Sequence, residues 1–92
     1  MITELGAPQD QDPIEAINAA AQTLGLEIKQ GTLKKYPGST HWHLTKPGNG
    51  GTLEITFDPR SNRLWIEQRA NRTSEWQEPV VQALAETFPP SG

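Results

Sequence analysis

The sequence predicts an α+β domain of order α-β-β-β-β-α, an antiparallel four-stranded meander with both helices packed on one face. Three observations predict it. Apolar residues recur at helical spacing near both ends of the chain, the middle of the chain switches to a period of two, and the period-two segments are separated by clusters of Gly, Pro, Asn and Asp. Connections that short join antiparallel neighbours, because a parallel crossover needs a dozen residues or more.

Residues 1–11 mix Gly, Pro, Gln and acid without a hydrophobic period and read as a flexible N-terminal tail. Asp12, Pro13 and Glu15 mark a helix start: a carboxylate for the free backbone N–H groups, a proline that needs no donor at the first position, and a capping-box acid. Ile14, Ile17, Ala21 and Leu24 then form one stripe, and Gly25 suits the left-handed residue after the helix, so the first helix covers 13–24. Leu26 and Ile28 share a strand face while Leu33 has the opposite parity, which suggests a bulge at Gly31. Tyr36-Pro37-Gly38-Ser39 has the order of a type II turn.

The second strand, 40–46, sends Trp42 and Leu44 to one side and His41 and His43 to the other. Pro47-Gly48-Asn49-Gly50-Gly51 turns the chain. Leu53, Ile55 and Phe57 alternate with polar residues in the third strand, the pattern of a sheet with one buried side. After the turn at 58–62, Leu64 and Ile66 point inward, leaving Trp65, Glu67 and Arg69 on the polar side. Ser74 with Gln77 offers a second capping box, and Trp76, Val80, Leu84 and Phe88 follow at intervals of four until Pro89-Pro90 stops the helix, giving 75–88. One domain therefore spans 12–88, with 89–92 as a C-terminal tail.

Composition narrows the function classes. Ninety-two residues support one core and no large enclosed cavity. No run exceeds three consecutive apolar residues, so no membrane association is expected, and cytoplasmic is the default location. The absence of cysteine removes thiolate nucleophiles and Cys-ligated zinc. No pattern calls for a cofactor.

The net charge of −3 hides a segregation. All eight cations, Lys29, Lys34, Lys35, Lys46, Arg60, Arg63, Arg69 and Arg72, fall in residues 27–72, which carry a net +4. The flanking segments carry −4 and −3. Acids early in helices favour the dipole, and the cations then simply balance them. The alternative is a local field that attracts an anionic partner. Lys34, Lys35, His41, His43, Trp65 and Arg69 combine charge with flat rings on the face that the alternation leaves open, as surfaces that stack nucleobases do. Trp and Arg also anchor protein interfaces, so RNA, DNA and a protein partner all fit.

His41-Trp42-His43 places two imidazoles on one side of a strand, within reach of a common metal ion with Glu54 or Glu67 as third ligand. The plainer reading is two surface histidines, and no metal is expected. The Gly-rich turn at 47–51 lacks the helix and the Lys-Ser/Thr of a phosphate-binding loop and reads as a hairpin turn.

Gly38-Ser39-Thr40-His41, the strand ending in Lys46-Pro47, the Gly-rich turn and Gly51-Thr52-Leu53-Glu54-Ile55-Thr56 together resemble HicA-type mRNA interferase toxins, over about half of the chain. The resemblance implies a fold similar to double-stranded RNA-binding domains and a metal-independent ribonuclease in which His41 is catalytic. This chain departs from the family pattern by Thr40 between Ser39 and His41, by an added strand containing Leu64-Trp65-Ile66, and by a last helix without the family's usual opening. The reading taken from the residues themselves is a small non-enzymatic binding module, with a metal-independent ribonuclease that uses His41 or His43 as general acid or base as its alternative.

Overall fold

A computed structural model describes residues 1–69 and 74–90. Arg72 lies outside them. Among the described residues, seven elements follow one another: β1 (Ile2–Gly6), α1 (Pro13–Thr23), β2 (Glu27–Leu33), β3 (Tyr36–Thr45), β4 (Leu53–Asp58), β5 (Arg63–Glu67) and α2 (Gln77–Thr87). The class is α+β, with one antiparallel sheet of five strands in the order β1-β5-β4-β3-β2.

The fifth strand corrects the sequence reading of residues 1–11 as a tail. β1 pairs with β5 along its whole length, from Ile2 opposite Glu67 to Gly6 opposite Arg63. Two forces hold it. Leu5 is buried opposite Leu64, and β1 gives the backbone of β5 the hydrogen-bond partners that an edge would otherwise leave to water. The attachment extends to both neighbours: the Met1 carbonyl accepts from the Gln68 N–H at 2.8 Å, and the Gly6 N–H donates to the Phe88 carbonyl at 2.9 Å.

The helix signals resolve as local chemistry requires. Asp12 Oδ1 accepts from the Ile14 N–H at 2.9 Å, with Pro13 opening α1. Gly25 closes it at φ +74°, where its N–H donates to the Gln22 carbonyl. α2 begins at Gln77, two residues later than the spacing suggested, and Gln77 Oε1 accepts from the Ser74 N–H as in half of a capping box. Pro79 falls in its first turn, where an N–H has no intrahelical partner to lose.

One core joins both helices to one side of the sheet. Ile17 and Ala21 from α1 and Val80, Val81 and Leu84 from α2 pack with Trp42, Leu44, Leu53, Ile55, Leu64 and Ile66. The register accounts for this, since Trp42, Ile55 and Ile66 lie in one row across three strands and Leu44 and Leu53 pair directly. Polar atoms on this side are used as fasteners. Trp42 Nε1 donates to Asn18 of α1 at 3.0 Å, while Trp76 Nε1 and Gln77 Nε2 donate to the Gly50 and Thr52 carbonyls, tying α2 to the β3–β4 loop.

The β2–β3 connection also differs from the expected one. The turn is Lys34-Lys35, and Tyr36 already belongs to β3. Pairing then shifts: Leu33 faces Tyr36, yet Gly31 faces His41, so β3 spends more residues than β2 over the same interval. The extra residues are a bulge at Pro37, Gly38 and Ser39 rather than a hairpin turn. Gly38 has φ +83°, the conformation a type II turn would also have demanded.

Candidate functional site

Strand alternation places His41 and His43 together on the side of β3 away from the core, and pairing sets Thr56 opposite His41 and Glu54 opposite His43 on β4. Trp65 stands opposite Thr56, and Glu67 opposite Glu54, on β5. The outer face is therefore organised in two rows, His41-Thr56-Trp65 and His43-Glu54-Glu67.

Glu54 is the hub. One carboxylate oxygen, Oε1, lies 3.1 Å from His41 Nε2 and 3.9 Å from His43 Nε2, while Oε2 accepts from Arg69 Nε at 3.0 Å. Arg69 also lies 3.9 Å from Glu67, so its guanidinium sits between two carboxylates that face each other across the strands and relieves their repulsion. His41 is only 9% exposed at its side chain and both ring nitrogens are engaged, Nδ1 with Thr56 Oγ1 at 2.7 Å. A carboxylate oxygen accepts, so Nε2 carries a proton toward Glu54, while the Thr56 hydroxyl serves Nδ1 as donor or acceptor according to the form of the ring. His43 is different: 49% exposed, with its ring edge-on to His41 at 4.9 Å.

The structure corrects two expectations about this face. Trp65 lies on the outer side as its parity requires, but it is buried at 6% exposure and is no open stacking plane. Arg63 covers it at 4.3 Å from the ring, and Tyr36 meets it edge-to-face at 5.4 Å. His41, expected in solvent, is buried as well. Tyr36, at the start of β3, and Arg63 cover Trp65, while His41 is hemmed in by Thr56, Glu54 and His43. What remains is an open depression of about 350 Å³ between Leu33, Tyr36, His41, Trp65, Arg63 and Arg69, to whose lining neither helix contributes.

The cations divide into two groups. Arg63 makes a bidentate pair with Glu4 of β1, its Nε donating to Oε1 at 3.0 Å. The hydrogen bond to Arg63 holds the Glu4 carboxyl below its ordinary value of 4.5 and raises Arg63 in turn. Arg69 is committed to Glu54. Lys29, Lys34, Lys35, Lys46 and Arg60 have no carboxylate within ion-pair distance among the described residues. In an antiparallel meander the β2–β3 and β4–β5 turns lie at the same end, so Lys34, Lys35 and Arg60 share one rim of the sheet with Arg63. The sequence reading singled out Lys34 and Lys35 but not Arg60 and Arg63, although the meander it predicts already sets these two turns at one end.

The chain matches no protein-family model, no curated protein and no solved structure.

Proposed function

We propose that this protein is a small binding module that takes up nucleic acid on the outer side of its sheet. The observation that supports the reading best is the separation of charge by layer. Every described cation lies in the sheet, in its turns or just past β5, whereas neither helix contains Lys or Arg, and Glu15, Glu78 and Glu86 belong to the helices. Lys34, Lys35 and Arg60, in ion-pair contact with no carboxylate among the described residues, stand on one rim of the outer face, placed to meet phosphates. Affinity in this reading is electrostatic, since Trp65 is covered. The aromatic edge of Tyr36 is the ring left beside that rim.

A titration of labelled single- and double-stranded RNA and DNA oligonucleotides at low and moderate salt tests it. Counterion release gives a falling line of log K against log salt, and removing one phosphate-binding charge reduces the slope by roughly 0.7 to 0.9. Lys34→Ala with Lys35→Ala flattens that slope, whereas Lys46→Ala, at the opposite end of the sheet, leaves it nearly unchanged. No binding at low salt to any of the oligonucleotides refutes the proposal.

The ribonuclease implied by the HicA resemblance is the second reading, and the His41–Glu54 hydrogen bond favours it as a base held by an orienting carboxylate. Burial of His41 argues against direct reach to a scissile phosphate. The same titration distinguishes the two, because a nuclease shortens the RNA during the measurement and a binding module leaves it intact.

A further inference from the structure

We infer that His41, His43 and Glu54 form a binding site for a borderline divalent transition metal ion of the zinc type, independent of what meets the basic rim. The geometry starts from two side chains two residues apart on β3 and a carboxylate on the neighbouring strand, whose three donor atoms all lie within 4.8 Å of one another. Two imidazoles with one carboxylate suit zinc and its neighbours in the transition series, whereas magnesium and calcium prefer oxygen alone. Three protein ligands leave at least one position open, and the site has depressions on either side, one of about 350 Å³ lined by His41 and Glu54 and one of about 550 Å³ lined by His43.

The surrounding groups orient the three donors. Arg69 occupies Oε2 of Glu54 and turns Oε1 toward both histidines. Thr56 is the more informative partner. Metal coordination at Nε2 of His41 requires the proton there to leave, and a neutral imidazole accommodates this by changing tautomer, so that Nδ1 becomes the donor. The Thr56 hydroxyl 2.7 Å away can take either direction of this hydrogen bond, so it accepts from Nδ1–H when Nε2 holds the ion. The ring keeps its position. His43 is half exposed and closes the remaining gap to Glu54 by a small rotation. Arg69, and Lys29 opposite His43, bring positive charge near the ion, while Glu67 beside Arg69 offsets it. Glu54, not Glu67, is the third donor because the register sets it opposite His43 on the adjacent strand, one strand closer than Glu67.

Zinc chloride titrated into the intact metal-free chain and followed by calorimetry tests the site. One ion per chain is expected, with at least about tenfold weaker binding in His43→Ala and in Glu54→Gln, and a loss of about 10- to 100-fold in Thr56→Val. Excess magnesium leaves the zinc isotherm unchanged. His43 is exposed, so its variant folds, and circular dichroism verifies folding for all three. Nitrogen-15 spectra of the histidine rings give a second readout, in which zinc-bound His41 carries its proton at Nδ1 and none at Nε2. Absence of zinc binding, zinc binding indifferent to His43→Ala and Glu54→Gln, or a His41 ring still protonated at Nε2 with zinc bound each overturns the inference.

Discussion

At the level of single residues, Trp65 decides how the outer face is understood. Its parity was legible in the sequence, because Leu64 and Ile66 on either side had to point inward. Its burial was not, because no local pattern announces the residues that cover it, Arg63 and Tyr36. Trp65→Ala is therefore expected to act on stability rather than on binding alone, costing about 3–5 kcal/mol as for other buried aromatic truncations. Urea unfolding measures this directly, and a loss of only a few tenths would mean that the ring stands free. Glu4 adds a pH dependence. Its folded-state carboxyl titrates below its ordinary value, so its contribution is complete above that value and lost as pH falls from 4.5 through the lowered one. Both partners of the pair are more than two-fifths exposed, so screening keeps the effect small. Comparing acid unfolding of the wild type with Glu4→Gln isolates it: the variant should show a shallower fall in stability below pH 4.5.

Among the elements, β3, β4 and β5 were readable because each alternates large apolar residues with polar ones over several positions. β1 was not, because Leu5 is its one large inward residue and Ile2 points the other way, half exposed. Its place is set by tertiary pairing with β5 and by the close passage of the C-terminal segment. Gly6 records that passage: a Cβ there would lie 2.1 Å from the Pro89 carbonyl oxygen, an approach that backbone alone makes and that no side-chain rotation relieves. Gly6→Ala is accordingly expected to destabilise the protein by about 1–3 kcal/mol, the range for overpacked sites. A chemical denaturation midpoint equal to that of the wild type would show that β1 and the Phe88–Pro89 segment separate freely. The candidate site was partly legible in the same sense. His41 and His43 declare a shared face by their spacing, but the choice between Glu54 and Glu67 depends on register, which a chain read in isolation leaves open.

Across the molecule, the sequence already separated acidic ends from a basic middle. Folding turns that linear pattern into two layers, with the helices on the core side and the cations in the sheet and its turns. The strand order sets the Lys34-Lys35 and Arg60 turns together on one rim. No helix among the described residues is long and apolar enough to cross a membrane. Whether nucleic acid meets this rim and the outer face is decided by backbone amide mapping in NMR spectra. When an RNA oligonucleotide is added at low salt, resonance shifts are expected to concentrate in residues 33–36, 60–63 and His43, with 13–23 and 77–87 nearly unmoved. Shifts centred on α1 or α2, or a spectrum that does not change at all, would refute binding at this face.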